Sequence, residues 1–157
     1  MKGMKKFELT TDSKILFGRK LFRIKALVSF GNVGAGDIGG FVEKEENLSQ
    51  DGDAWVSGDA WVYGNAMVYG NARVSGNAMV SDNVDYTTIK GFGSEFRNTT
   101  FFKCKDGKVR TQCGCFYGTL DEFREKVKQT HGESKFAKEY LMIADLMEYH
   151  FKGDDEE

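Results

Sequence analysis

Only two histidines and three cysteines occur among the 157 residues. No apolar run approaches the roughly 18 residues that a membrane-spanning helix needs. Charge of one sign is also lacking: 22 Lys and Arg face 24 Asp and Glu, a formal net charge of -2. Such a chain has no overall basic field to draw nucleic acid or anionic lipid over a distance, which leaves only local patches for either. The opening MKGMKKFELTTD is basic but has no apolar stretch behind it, so the expectation is a cytoplasmic protein that does not engage a membrane. At 40% apolar residues the chain can fill one core or two small ones.

The cysteines, Cys104, Cys113 and Cys115, are odd in number, which favours reduced thiols over a disulfide framework. In TTFFKCKDGKVRTQC the pair Asp106 and Gly107 predicts a two-residue hairpin turn, setting Cys104 opposite Val109 and Thr100 opposite Cys113. Cys104 and Cys113 are then about four residues out of register, too far apart for a disulfide. Cys113 and Cys115 are separated by one residue without a second close pair of ligands, so no metal is expected, and no cofactor.

What the chain does contain is a repeat. Val56, Val62, Val68, Val74 and Val80 recur every six residues, with Ala60, Ala66, Ala72, Ala78 and Val84 four positions behind them. Six is a multiple of the strand period and a poor multiple of 3.6, so the valines keep one side in strand geometry and drift around a helix. Gly58, Gly64, Gly70 and Gly76 are each followed by Asp or Asn, residue types that tolerate left-handed backbone angles and permit a corner after each short strand. A branched aliphatic followed by a small residue in this phase resembles the hexapeptide repeat of left-handed parallel β-helices.

The expected fold is therefore mainly β with C-terminal helices: an N-terminal β segment over 1–37, a short left-handed parallel β-helix over 38–85, and a hairpin with two α-helices over 86–157. The phase extends back through Gln50 and Ala54, Lys44 and Leu48, to Ile38 and Val42, with Gln50 and Lys44 standing where valine belongs. Gly34, Gly36 and Gly39 form a nominal GxGxxG, but hexads rather than a helix and second strand follow, so these glycines are read as turning the chain into its first coil.

Residues flanking the inward valines must face outward. This sorts Trp55 above Arg73, Trp61 and Tyr63 above Met79, and Met67 with Tyr69 onto a third face. Aromatics and methionine on the outside mark either a face covered by the chain's own ends or an oligomer or partner surface. Trp55, Trp61, Tyr63, Met67, Tyr69, Arg73 and Met79 are the candidate contact residues. A second candidate is basic: Lys103, Lys105, Lys108 and Arg110 lie beside Phe101 and Phe102 on the predicted hairpin, a combination that suits an anion or single-stranded nucleic acid.

Thr119 and Glu122 match a capping box ahead of LDEFREKVKQTH, and Ser134 can cap KFAKEYLMIADLMEYHF. His131 and His150 fall near the helix ends, where solvated or capping roles are expected rather than catalysis.

The stretches GGFVEKEENLSQDGDAWVSGDAWVYGNA and TTFFKCKDGKVRTQCGCFYGTLDEFREKVKQTHGESKFAKEYL resemble small hexapeptide-repeat proteins encoded by phages and prophages, a group of mostly unassigned function. The resemblance implies expression in the cytoplasm of an infected bacterium and action on a host component. The reading that follows is a non-catalytic binding protein, self-associated as a homotrimer, that binds and blocks a host protein such as a component of an antiviral system. One alternative is a sponge for a small anionic nucleotide held between subunits. Another is the acyltransferase activity of many hexapeptide-repeat trimers; it requires a histidine base, and neither histidine lies in the repeat.

Overall fold

The computed structural model describes residues 5–93, 97–113 and 116–152. Eleven strands and two α-helices follow in order: β1 Phe7–Leu16, β2 Arg19–Ala26, β3 Ile38–Val42, β4 Trp55–Val56, β5 Trp61–Val62, β6 Arg73–Val74, β7 Met79–Val80, β8 Tyr86–Phe92, β9 Arg97–Lys103, β10 Val109–Cys113, β11 Phe116–Thr119, α1 Leu120–His131 and α2 Lys135–His150.

These strands do not build a regular left-handed parallel β-helix, and that expectation is corrected. They form a mixed five-stranded sheet in the order β1-β2-β3-β5-β7, a four-stranded antiparallel sheet in the order β11-β10-β9-β8, and a two-stranded parallel sheet of β4 and β6. Parallel pairing is confined to patches two residues wide and one isolated bridge: Phe41 and Val42 pair with Trp61 and Val62, these with Met79 and Val80, and Trp55 and Val56 with Arg73 and Val74, while Leu48 bridges Val68. The repeat brings its valines into register within these patches, and no patch is wider than two residues. The antiparallel β1–β2 hairpin joins through β3 and turns the largest one into a mixed sheet.

Close approach of successive passes explains two of the glycines. A Cβ on Gly39 would lie 2.5 Å from the Val56 carbonyl oxygen and 2.7 Å from the Trp55 ring. Gly58 has φ +63° and its added Cβ would lie 3.0 Å from the Gly76 nitrogen, so the corner needs both the left-handed backbone and the bare α-carbon.

The phase carried back to Ile38 is corrected by two residues: Val42 rather than Lys44 pairs with Val62 and Leu48 rather than Gln50 bridges Val68, so Lys44 and Gln50 stand outside the stack and serve as caps. Gln50 Oε1 accepts the Lys6 amide at 2.7 Å, tying the repeat to the start of β1. Lys44 begins a short 3-10 turn over Glu45–Asn47, whose buried Asn47 accepts the Lys44 amide at 2.9 Å and donates to the Ala66 carbonyl at 2.9 Å. Lys6 itself is buried, its ammonium donating to the Ala54 carbonyl at 2.7 Å, and burial pushes its pKa down to about 8.

The β9–β10 hairpin differs from the expected register by one residue. Lys103 pairs with Val109, and Thr99 rather than Thr100 opposes Cys113. The Cys104 amide donates to Lys108 O, and Gly107 at φ +82° closes a loop over 105–107; the additional loop residue shifts the pairing. This shift leaves Cys104 buried and places the Thr99 hydroxyl 3.1 Å from Cys113 Sγ, to which it donates.

Strand β9 is covered on both faces. Phe102 packs into the large core with Phe7, Ile24, Trp55, Cys104 and the valines of the repeat, whereas Phe101 packs with Leu120, Phe123, Val127, Tyr140 and Met147 of the helices. The Thr119 capping box forms, its hydroxyl accepting the Glu122 amide and its amide donating to Glu122 Oε1. Arg124 then joins the helices, donating to Asp121 on α1 and to Asp145 and Glu148 on α2 at 2.8–3.0 Å.

Candidate functional site

The outward positions of the repeat separate into a covered set and an open set. Trp55 is only 3% exposed, sealed by edge-on contacts with Phe7 and Phe30 at ring separations of 6.5 and 5.4 Å. It belongs to the main core and offers no surface to a partner. Its neighbour Arg73 turns to Asn32, with its backbone amide held by Thr100 Oγ1 at 3.0 Å.

Tyr63, Trp61 and Met79 form a small cluster with Leu16, Leu21 and Phe41 beneath the β1–β2 hairpin. Cations close over these rings. Lys105 Nζ stands 3.7 Å and Lys14 Nζ 5.6 Å from the Trp61 ring centre, and Arg19 lies 5.6 Å from that of Tyr63. Lys105 also donates to the Asp59 carbonyl at 2.7 Å, and its pKa is lowered, first by burial and then by the neighbouring Lys14 ammonium. The Trp61 indole nitrogen is the buried side-chain polar atom without a hydrogen-bond partner among the described residues.

Of the other predicted basic residues, Arg110 and Lys103 are engaged by the fold. Arg110 makes a two-pronged contact with Asp106 at 2.9 Å, and that hydrogen-bonded pair holds the Asp106 carboxyl down at about 2. Lys103 lies 3.6 Å from Asp85, and Lys108 lines an open cleft of about 380 Å³ with Arg124 and Glu148. Phe101 and Phe102 are fully buried, so neither offers a ring on which a base could stack. Cys115 lies outside the described residues. His131 stacks on Tyr140 at 6.0 Å, and His150 Nε2 lies 3.3 Å from the Val84 carbonyl oxygen.

Met67 and Tyr69 remain open, at 47% and 60% exposure. They adjoin Val84, which the repeat aligned with the buried Ala60, Ala66, Ala72 and Ala78 but which is 64% exposed, and apolar residues of α2 that the repeat does not reach. The Met67 amide donates to Asn83 Oδ1 at 2.9 Å, and the Tyr86 hydroxyl donates to the Met67 carbonyl at 2.7 Å. Val84, next in the chain and also exposed, contacts His150 near the end of α2. On that helix Met142, Leu146 and Tyr149 are exposed at spacings of four and three residues, a stripe along one side. The stripe was legible in the sequence as an apolar run wider than one core-facing face requires. Met67, Tyr69, Val84, Met142, Leu146 and Tyr149 thus come from three separate segments joined by these bonds.

No protein-family model matches the chain, and no curated protein matches it. Among the described residues no helix is long and apolar enough to cross a membrane.

Proposed function

We propose that the protein is a non-catalytic binding protein that docks a partner protein on the face formed by Met67, Tyr69, Val84 and the Met142, Leu146 and Tyr149 stripe of α2. The observation that carries this reading is the exposure of these six apolar side chains from three chain segments on connected elements. Isolated exposed apolar residues are ordinary, whereas six of them on elements bonded to one another supply the apolar material of a contact surface. In the setting implied by the resemblance, the partner is a bacterial host protein whose working surface is blocked. Affinity capture from bacterial lysate with wild type and Leu146→Glu in parallel tests it: a stoichiometric partner retained by wild type and lost by the variant is expected. Equal recovery by both refutes this face as the contact.

The ammoniums of Lys14 and Lys105 at the Trp61 ring favour a second reading, a sponge for a small anionic nucleotide. Mass spectrometry of small molecules released on denaturing the purified protein distinguishes it, since a sponge carries cargo and a protein blocker does not.

A further inference from the structure

The β1–β2 hairpin turns through Phe17 and Gly18, with Leu16 paired to Arg19 across a two-residue loop. Both turn residues have positive φ, +52° at Phe17 and +76° at Gly18, and Phe17 is the one non-glycine residue with positive φ among those described. A bulky side chain is a costly occupant of that position, where Asn, Asp or Gly sits without strain. No internal packing compensates, because Phe17 is 73% exposed and its neighbour Ile15 is 70% exposed. Strain without an intramolecular return points to a contact made elsewhere.

A complementary surface exists on the same molecule. An open cleft of about 690 Å³ is lined by Leu9, the buried Leu48 and Met67 and by Glu43, Lys44, Glu45 and Glu46; Arg19 and Lys5 pair with Glu43 and Glu45, which leaves Glu46 without a salt-bridge partner among the described residues. Around the tip the charges are reversed: Lys14 and Lys20 flank Ile15 and Phe17, while Arg19 is committed to Glu43 of its own chain. Arg19 is bonded to Glu43 at 2.9 Å, so tip and cleft are neighbours on the surface and a two-fold pairing can seat both tips at once. Lys20 and Glu46 are both exposed, on the tip side and the cleft side of that contact.

We propose that the Phe17 tip of one copy inserts into the Leu9–Leu48–Met67 cleft of a second copy, with Lys20 meeting Glu46 at its rim, and that this contact assembles the protein. It uses a different surface from the partner face on α2 apart from Met67, which borders both.

Sedimentation velocity of the full chain up to about 100 μM, at low and high salt, tests the assignment. Wild type is expected to associate. Phe17→Asn should weaken association by about 30-fold or more, because it removes an apolar anchor, and should raise the melting temperature by about 3 °C at concentrations where both proteins are monomeric, because it relieves the backbone. Lys20→Glu and Glu46→Lys should each weaken association about fivefold, and the two changes combined in one chain should restore it. A wild-type protein that stays monomeric overturns the proposal, as does a Phe17→Asn protein that associates like wild type or is less stable. Failure of the charge-swapped double variant to recover overturns the pairing of tip with cleft. Leu146→Glu should associate as wild type does; if it dissociates instead, α2 is the interface and the tip is not.

Discussion

Lys105 Nζ sits 3.7 Å from the centre of the Trp61 ring while donating to the Asp59 carbonyl, so a lysine predicted as a ligand contact closes over a tryptophan predicted as a partner contact. Two outward groups therefore satisfy each other. Lys105→Ala is expected to lower stability by about 0.5–1 kcal/mol and to shift the tryptophan emission, measured by denaturant titration with fluorescence. An unchanged midpoint would show that the ammonium contributes nothing on this ring.

Trp55 and Val68 test the main core. Trp55→Ala removes a ring held by Phe7 and Phe30 and should cost about 3–5 kcal/mol. Val68 is fully buried, and Val68→Asp places a carboxylate where nothing charged can meet it, so several kcal/mol of stability should be lost. Thermal melts of both variants check this; wild-type melting of Trp55→Ala would return that residue to the list of surface contacts.

Lys6 gives a pH dependence of definite sign. Its pKa is about 8 in the folded protein against an ordinary 10.5, with burial as the main cause. Between these values the unfolded chain holds the proton more tightly than the folded one, so the Lys6 contribution to stability rises with pH from about 8 to about 10.5. Below about pH 8 the penalty for burying the ammonium is fully present. The stability difference between wild type and Lys6→Met, measured by urea titration across this range, should shift in favour of wild type as pH rises. A flat difference would show that the ammonium is solvated.

Cys104 is buried, and burial is the largest of the influences that push its thiol pKa up. Iodoacetamide should leave it unmodified in the native protein and alkylate it on unfolding, as peptide mass spectrometry will report. Native alkylation of Cys104 would require the hairpin to open readily.

Local rules explain much of what could be read in advance. The capping box at Thr119 and the Ser134 cap place the helices because cap chemistry involves residues three apart and needs no distant partner. The hexad spacing places Val56 on Val74 and Val62 on Val80 for the same reason: a fixed period repeats a fixed path. The hairpin register failed by one residue because a loop's length depends on a single backbone conformation at Gly107.

From Ala54 to Val80 the period of the repeat determined by itself which side chains face inward, since alternation along a strand is a property of the backbone; outside those limits the phase slips by two residues at Val42 and Leu48, and Val84 stands exposed. Tertiary structure alone decided what covers the outward ones. Trp55 lies beneath Phe7 and Phe30, and Trp61 beneath Lys105, through contacts between residues more than 20 positions apart. The same folding back joined the parallel patches to an antiparallel hairpin and made a mixed sheet of them. Burial is a property of surfaces brought together, and a period carries no information about which distant surface will arrive.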